Sequence, residues 1–388
     1  MRRHNYSLIA AVTCAAIAVA GCGGSGSSHH PPIFSSQVSF GDSLSDVGTY
    51  AVGNVLVLGG GRYTVNSKLA NGQLAPTNWT DIMATKLGFS LPCPAETGLE
   101  GQSSYNVQPV MHTPECNAYA QGGAMVTYPF GPGNASVAPI PDGNPVDGSP
   151  MLGQLTVPIV TQMQNHLNAH LVPYTGDEVV FILAGGSDAI FNTDMYLYAV
   201  QNAAQTGGDT AAEKAAAAAI AGPDAIDAMA LAGDQLVTYI NELVLAKGAQ
   251  FVVVLNLPDL SSTPYARIAE SVEPGTKALI SSMVTTFNDR LQQGLSDNPE
   301  VLLVDAYSAS VDQIANPTAY GLSNVTDYAC DLSFPGNVLG SSLVCNYSNV
   351  IAGDISHYEF ADQVHPTPYG NILIARYVTS QMENRGWL

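Results

Sequence analysis

Phe40-Gly41-Asp42-Ser43-Leu44-Ser45-Asp46 is the stretch on which the reading of this chain turns. It follows the short β-like run Gln37, Val38, Ser39, Phe40, so an apolar strand ends in a Gly-Asp-Ser turn. Open α/β sheets place their ligands at the carboxyl ends of their strands, and this turn sets the hydroxyl of Ser43 at such an end. A serine hydroxyl becomes a nucleophile only when a neighbouring base takes its proton, and that base needs an acid to orient it. Asp362-Gln363-Val364-His365-Pro366-Thr367, at the other end of the chain, supplies both. An acid three residues before a histidine, on the turn ahead of a helix, can reach back to the ring nitrogen. Ser43, His365 and Asp362 are therefore the candidate catalytic residues.

A serine in a Gly-Asp-Ser turn serves equally well as a turn former or a helix N-cap. The conjunction of the two motifs, with the punctuation between them, resembles the GDSL family of the SGNH hydrolase superfamily, and the resemblance covers almost all of the mature chain. Phe40 to Asp46 looks like the family's first block, whose Ser is the nucleophile and whose backbone N–H helps hold the oxyanion. Ala118-Tyr119-Ala120-Gln121-Gly122-Gly123-Ala124 is similar to the second block and implies Gly123 as another oxyanion donor, with Gly122 the alternative. Gly185-Gly186-Ser187-Asp188 stands where the third block reads Gly-x-Asn-Asp. Ser187 thus replaces the usual amide donor, and Asn192 is the nearby amide that could take over. Asp362 and His365 match the last block. Gly61-Arg62-Tyr63, Asn256-Leu257-Pro258-Asp259 and Phe287-Asn288 are smaller echoes. The resemblance implies an α/β fold, a flavodoxin-like three-layer α/β/α sandwich with a parallel central sheet.

A chain of 388 residues with this apolar content can hold one full core, and residues 37–388 are expected to form a single catalytic domain. Twelve basic against 32 acidic residues give a net charge of −20, which excludes nucleic acid and anionic membrane surfaces as electrostatic partners. Arg2 and Arg3 precede the apolar run Leu8 to Ala20, too short for a comfortable spanning helix and closed by small residues, which reads as an export signal. Its ending, Val19-Ala20-Gly21-Cys22, resembles a bacterial lipoprotein signal. That implies removal of residues 1–21, lipidation of Cys22 and a flexible tether over 22–36, rich in Gly and Ser. The chain is then expected to be an exported bacterial protein, either anchored by its lipid in the cell envelope, with the outer membrane the favoured site, or secreted. His29 and His30 are incidental to the tether.

Four cysteines remain after Cys14 and Cys22, namely Cys93, Cys116, Cys330 and Cys345. Three pairings are open, and the local one, Cys93 with Cys116 and Cys330 with Cys345, needs only short loops. No Cys-x-x-Cys spacing occurs, and His112, His166, His170 and His357 form no ligand pattern, so neither metal nor cofactor is expected.

Along the chain, residues 44 to about 117 read as binding loops apart from a helix near Trp79 to Leu87. Tyr50, Tyr63 and Trp79 are candidates to line an acyl or alcohol pocket, with core packing the better role for Trp79. Prolines between 128 and 150 mark a surface loop. A helix is expected over 151–170, and the continuous apolar run from Glu178 to Ala184 predicts a strand buried on both faces. Residues 203–247 are Ala-rich and helical in pattern, broken at Gly222-Pro223. Strands over Gln250–Leu257 and Val301–Asp305 alternate with helices over Gly275–Leu295 and Tyr369–Met382.

The expected chemistry is acyl transfer through a covalent ester on Ser43, with hydrolysis of short to medium acyl esters or lipids. Asp42, Asp46 and Asp188 are read as turn organisers that cap backbone N–H groups. Two other functions stay open. A carbohydrate O-acetyl esterase would carry aromatic sugar platforms, and a non-catalytic binding lipoprotein would keep the fold without turnover, with Ser187 as its support.

Overall fold

The computed structural model describes residues 31–101, 108–136, 152–206 and 210–388. The proposed signal segment, Cys22, His29 and His30 lie outside the described residues, as does most of the proline-rich loop after 136. From the amino end the elements are β1 (Gln37–Gly41), α1 (Gly53–Val57), α2 (Trp79–Lys86), β2 (Glu96–Leu99), β3 (Gln108–His112) and α3 (Ile159–Ala169). The middle of the chain holds β4 (Val179–Leu183), α4 (Gly186–Thr206), α5 (Thr210–Tyr239), β5 (Phe251–Leu255), α6 (Pro264–Val272) and α7 (Thr276–Leu295). The last third adds β6 (Val301–Val304), α8 (Ala306–Ala315), β7 (Asn324–Tyr328), β8 (Tyr358–Phe360) and α9 (Pro368–Arg385).

Continuous apolar runs form the central sheet because both of their faces are covered. Its order is β1-β4-β5-β6, all parallel, with Phe40 opposite Ile182, Ile182 opposite Val254 and Val254 opposite Leu303. A further extended segment runs along the outer side of β1. Ser39 N–H donates to Asn117 O (3.0 Å), Tyr119 N–H to Ser39 O (2.8 Å) and Gln121 N–H to Gly41 O (3.1 Å). That ladder lays the Gln121-Gly122-Gly123 turn beside the turn that carries Ser43.

Side-chain alternation gives the layers. Phe40 stacks on Tyr119 and meets His166 of α3 edge-on, so this parity of β1, and Ile182 with it, faces the side of α3. Phe181 has the opposite parity and meets Trp79 of α2 at 5.3 Å. Helices α2 and α9 pack together on that second face, whereas α5 packs against α3, α4 and α7. This is the α/β sandwich with a parallel sheet that the sequence predicts.

Four expectations need correction. The helix expected over 151–170 begins only at Ile159. Pro158 is its extended N-cap (ψ 155°), and the residue before a proline is driven out of the helical region, so residues 152–157 run as an irregular segment. No break occurs at Gly222-Pro223, since α5 runs through it. The stripe Ala225, Met229, Ala232, Leu236, Ile240 and Val244 is buried from that point on, and its packing outweighs the one backbone bond that Pro223 cannot make. Residues 34–36, expected in the tether, belong to the domain. Phe34 packs edge-on against Phe251 (5.2 Å), and Ser36 O accepts from Val179 N–H (3.0 Å). Finally, the stretch between 44 and 117 is not all loop, because β2 and β3 pair there antiparallel.

Cys93 is joined to Cys116 and Cys330 to Cys345. The first bond holds the approach to the 117–121 ladder. The second sits in a small core with Val65, Ala329 and Ala361, next to Asp362.

Arg62, from one of the smaller sequence echoes, is buried and paired with Asp81 in the first turn of α2. Its guanidinium also donates to Val47 O (3.0 Å) and Ala75 O (2.7 Å), and Asp81 accepts from Asn78 N–H (3.0 Å) as half of a capping box. Removing one partner of a buried pair strands the other charge. Asp81→Ala should therefore lower the unfolding free energy by about 3–5 kcal/mol in urea titrations. A loss below about 1 kcal/mol, the range of exposed pairs, would mean that water reaches Arg62.

Candidate active site

The turn after β1 is shaped by its own aspartate. Asp42 Oδ1 accepts from Leu44 N–H (3.1 Å) while Asp42 O accepts from Ser45 N–H (3.1 Å), an Asx-type turn that leaves Ser43 at its apex. Gly41, two residues earlier, is clamped by Gln162 of α3. Its N–H donates to Oε1 (3.0 Å) and its carbonyl accepts from Nε2 (2.9 Å).

Some 320 residues later, β8 turns back on the segment before α9. Ala361 N–H donates to His365 O (2.7 Å) and Thr367 N–H to Glu359 O (2.8 Å). This fold-back brings His365 Nε2 to 2.8 Å from Ser43 Oγ. The other ring nitrogen, Nδ1, lies 2.9 and 2.8 Å from the two oxygens of Asp362. An ionised Asp362 can only accept, so Nδ1 carries the ring proton and Nε2 is left to accept from Ser43. Asp362 is itself held by Val364 N–H (3.0 Å), His365 N–H (2.8 Å) and Ser342 N–H (2.9 Å). Burial alone would raise its pKa, but the His365 charge and these hydrogen bonds outweigh it and hold the carboxyl well below the usual carboxylate range. The Tyr63 ring lies tilted against the imidazole, with centroids 4.7 Å apart.

The N–H groups of Ser43 and Gly123 have no acceptor among the described residues. Gly122 N–H, by contrast, is bound to Asp46 Oδ2 (2.9 Å), and Ala124 N–H to Gln121 O (3.1 Å). Of the two glycines considered from the sequence, Gly123 is thus the one with a free donor. Its φ of +77° and the 2.2 Å that would separate a Cβ from Pro132 O permit only glycine there. Ser187 lies buried in the first turn of α4, and its hydroxyl has no partner among the described residues. Asn192 does not replace it, because its amide donates back along the helix to Asp188 O (2.8 Å).

Three buried aspartates stitch these loops together. Asp42 Oδ2 accepts from Gly186 N–H (3.0 Å) at the start of α4. Asp46 accepts from Gly48 and Thr49 N–H (2.8 Å each) in its own turn and from Gly122 across the cleft. Asp188 accepts from Val126 N–H (3.1 Å). Burial pushes Asp42 up to about 6 and Asp188 up to about 7, against the hydrogen bonds that favour the charged forms.

Around His365, Ile190, Tyr265, Leu332, Gly340 and Val364 line a narrow cleft. Val364 also borders a neighbouring cavity of about 80 Å³, lined largely by apolar side chains that include Leu44, Leu183, Leu255, Leu260 and Ile374. Of the three aromatics expected to line a pocket, only Tyr63 reaches the site. Trp79 and Tyr50 are fully buried, the indole donating to Ser45 Oγ (3.2 Å) and the Tyr50 hydroxyl to Gly122 O (2.8 Å). Ser342 and Gln162 support the site from far away in sequence, and no local pattern marks them. Among the described residues no group of His, Cys, Asp or Glu is arranged to hold a metal.

The chain belongs to the GDSL-like lipase/acylhydrolase family, whose model matches residues 38–378. It is 26% identical, over 90% of its length and 49% of the relative's, to a Pseudomonas putida protein described only as an uncharacterized protein in the trpE-trpG intergenic region. Two GDSL esterase/lipases of Arabidopsis thaliana are 25% and 28% identical over 35% and 33% of this chain, and 40% and 36% of their own lengths. The chain therefore spans about half or less of the length of these relatives.

Buried acids make the fold sensitive to pH in a definite direction. Asp42 and Asp81 (each up to about 6) and Asp188 and Glu359 (each up to about 7) hold their protons more tightly folded than unfolded. Across about pH 4 to 7 the native state therefore binds more protons, and stability falls as pH rises. Asp362 and His166 act oppositely: the Asp362 contribution is lost only below about pH 4, the unfolded carboxylate value, and the single His166, pushed down to about 4 by burial, offsets only part of the effect of the four acids. Thermal unfolding should show a higher midpoint at pH 5 than at pH 8, and Asp188→Asn should flatten that slope. A midpoint that rises with pH over this range would contradict the assignment.

Proposed function

We propose that this chain hydrolyses carboxylic esters through an acyl-enzyme on Ser43. The observation that carries the reading is the contact of 2.8 Å between His365 Nε2 and Ser43 Oγ, with Nδ1 of the same ring on Asp362. His365 takes the Ser43 proton as Oγ bonds the ester carbon, and Asp362 holds the tautomer and stabilises the imidazolium. The oxyanion so formed is met by the N–H groups of Ser43 and Gly123 and by the Ser187 hydroxyl. Imidazolium returns its proton to the departing alcohol, and water activated on the same ring then releases the acid.

Ile190, Leu332 and Val364 give the cleft beside His365 an apolar wall, which supports an acyl group there, while Tyr265 and Tyr63 are the aromatic rings at the same site. Short to medium acyl esters or lipids are accordingly the proposed substrates. The chain would act outside the cytoplasm, held to the envelope by lipid on Cys22. Two disulfides suit such an oxidising compartment. Cys22→Ala should shift the protein to the soluble fraction with its specific activity intact.

A p-nitrophenyl ester series tests the reaction, with acetylated xylan beside it. Ser43→Ala and His365→Ala should each fold and lose all but about 10⁻³ or less of kcat. Retention of more than a few per cent by Ser43→Ala would remove the nucleophile assignment, and faster turnover of acetylated xylan than of butyrate or octanoate esters would overturn the substrate class.

A further inference from the structure

We propose that Asp42 is a positioning residue for the oxyanion pocket, acting through Ser187. The inference rests on the reading above of Ser43 as nucleophile and of the Ser187 hydroxyl as an oxyanion donor.

Helix α4, 21 residues long, starts beside the Ser43 turn, and a helix N-terminus attracts negative charge through its free N–H groups. Part of that capacity is already taken. Asp42 Oδ2 holds Gly186 N–H at 3.0 Å. The Gly186 N–H is thus committed to Asp42, and the Ser187 hydroxyl beside it, with no partner among the described residues, is left to meet an oxyanion. A hydroxyl reaches less far than a carboxamide, so its usefulness depends on how closely the helix start is drawn to the nucleophile turn. The other oxygen of Asp42 holds Leu44 N–H at 3.1 Å. One carboxylate therefore ties the residue after Ser43 to the residue before Ser187. The groups facing it are His365 and Asp188, and no Lys or Arg contributes to its charge balance.

Asp42→Asn leaves a single acceptor oxygen for two donors and presents an NH₂ to an N–H. It should lower kcat by roughly 10- to 100-fold, below the 10² to 10³ of a fully lost good donor, with KM within about threefold. Ser187→Ala should lower kcat by about tenfold, since a hydroxyl is the weakest of the three donors. If Asp42 works through Ser187, the double variant should lose no more than the worse single variant, a non-additivity that a purely structural role would not produce.

Gly186→Ala tests the same contact more gently. Its methyl would lie 3.0 Å from Asp42 Oδ2, so it should reproduce the kcat loss and its non-additivity with Ser187→Ala in a protein that folds. Strictly additive losses, an unchanged kcat in Ser187→Ala, or losses confined to KM would each overturn the proposal. Ser43→Ala measured in parallel separates the two levels. An active Ser43→Ala removes the hydrolase reading itself, whereas an inactive one with additive losses removes only the role of Asp42.

Discussion

A carboxylate taken out of water must find hydrogen-bond donors or give up its charge, and at the carboxyl edge of this sheet three of them do so with backbone N–H groups. Asp42 links the nucleophile turn to the start of α4, Asp46 links the same turn to Gly122, and Asp188 links α4 to Val126 beyond the glycine turn. The three ties join the Ser43 turn, the glycine turn and the start of α4 to one another.

These turns are anchored to the parallel sheet. Gly41 is clamped by Gln162, the second-block turn is hydrogen-bonded along β1, and the turn from β4 into α4 passes through Gly185, where a Cβ would lie 2.5 Å from Phe287. Rigid strands and helices fix the turns, and the turns present short polar groups. Such an arrangement keeps a donor array in place without loop ordering at the moment of binding.

Much of this was legible in the sequence because it is local. Val179 to Leu183 and Phe251 to Leu255 are short runs, apolar on both parities and rich in β-branched residues, the pattern of strands covered on both sides. Asp362 and His365 are three residues apart, and the Gly-Asp-Ser turn announces itself. The rest depends on distant pairs. Nothing near Ser342 marks its N–H as the third support of Asp362, and although the sequence offers Tyr63 as a pocket-lining residue, only the fold shows that its ring meets His365. The break expected at Gly222-Pro223 failed for a related reason, since local propensity was set against a buried stripe that only tertiary packing reveals.

Asp42 and Asp362 make the general point. Both are buried carboxylates next to members of the same constellation, and desolvation raises the pKa of both. Asp362 lies against the ring nitrogen of His365, and that ring together with the hydrogen bonds to Asp362 outweighs burial. Asp42 feels the same histidine only weakly and shares its surroundings with Asp188, so burial prevails. Equal burial therefore leaves one acid well below the usual carboxylate range, against the histidine ring, and the other raised to about 6, where it holds a turn. The roles follow from the partner each acid meets, and that partner is set by which loops the sheet edge brings together.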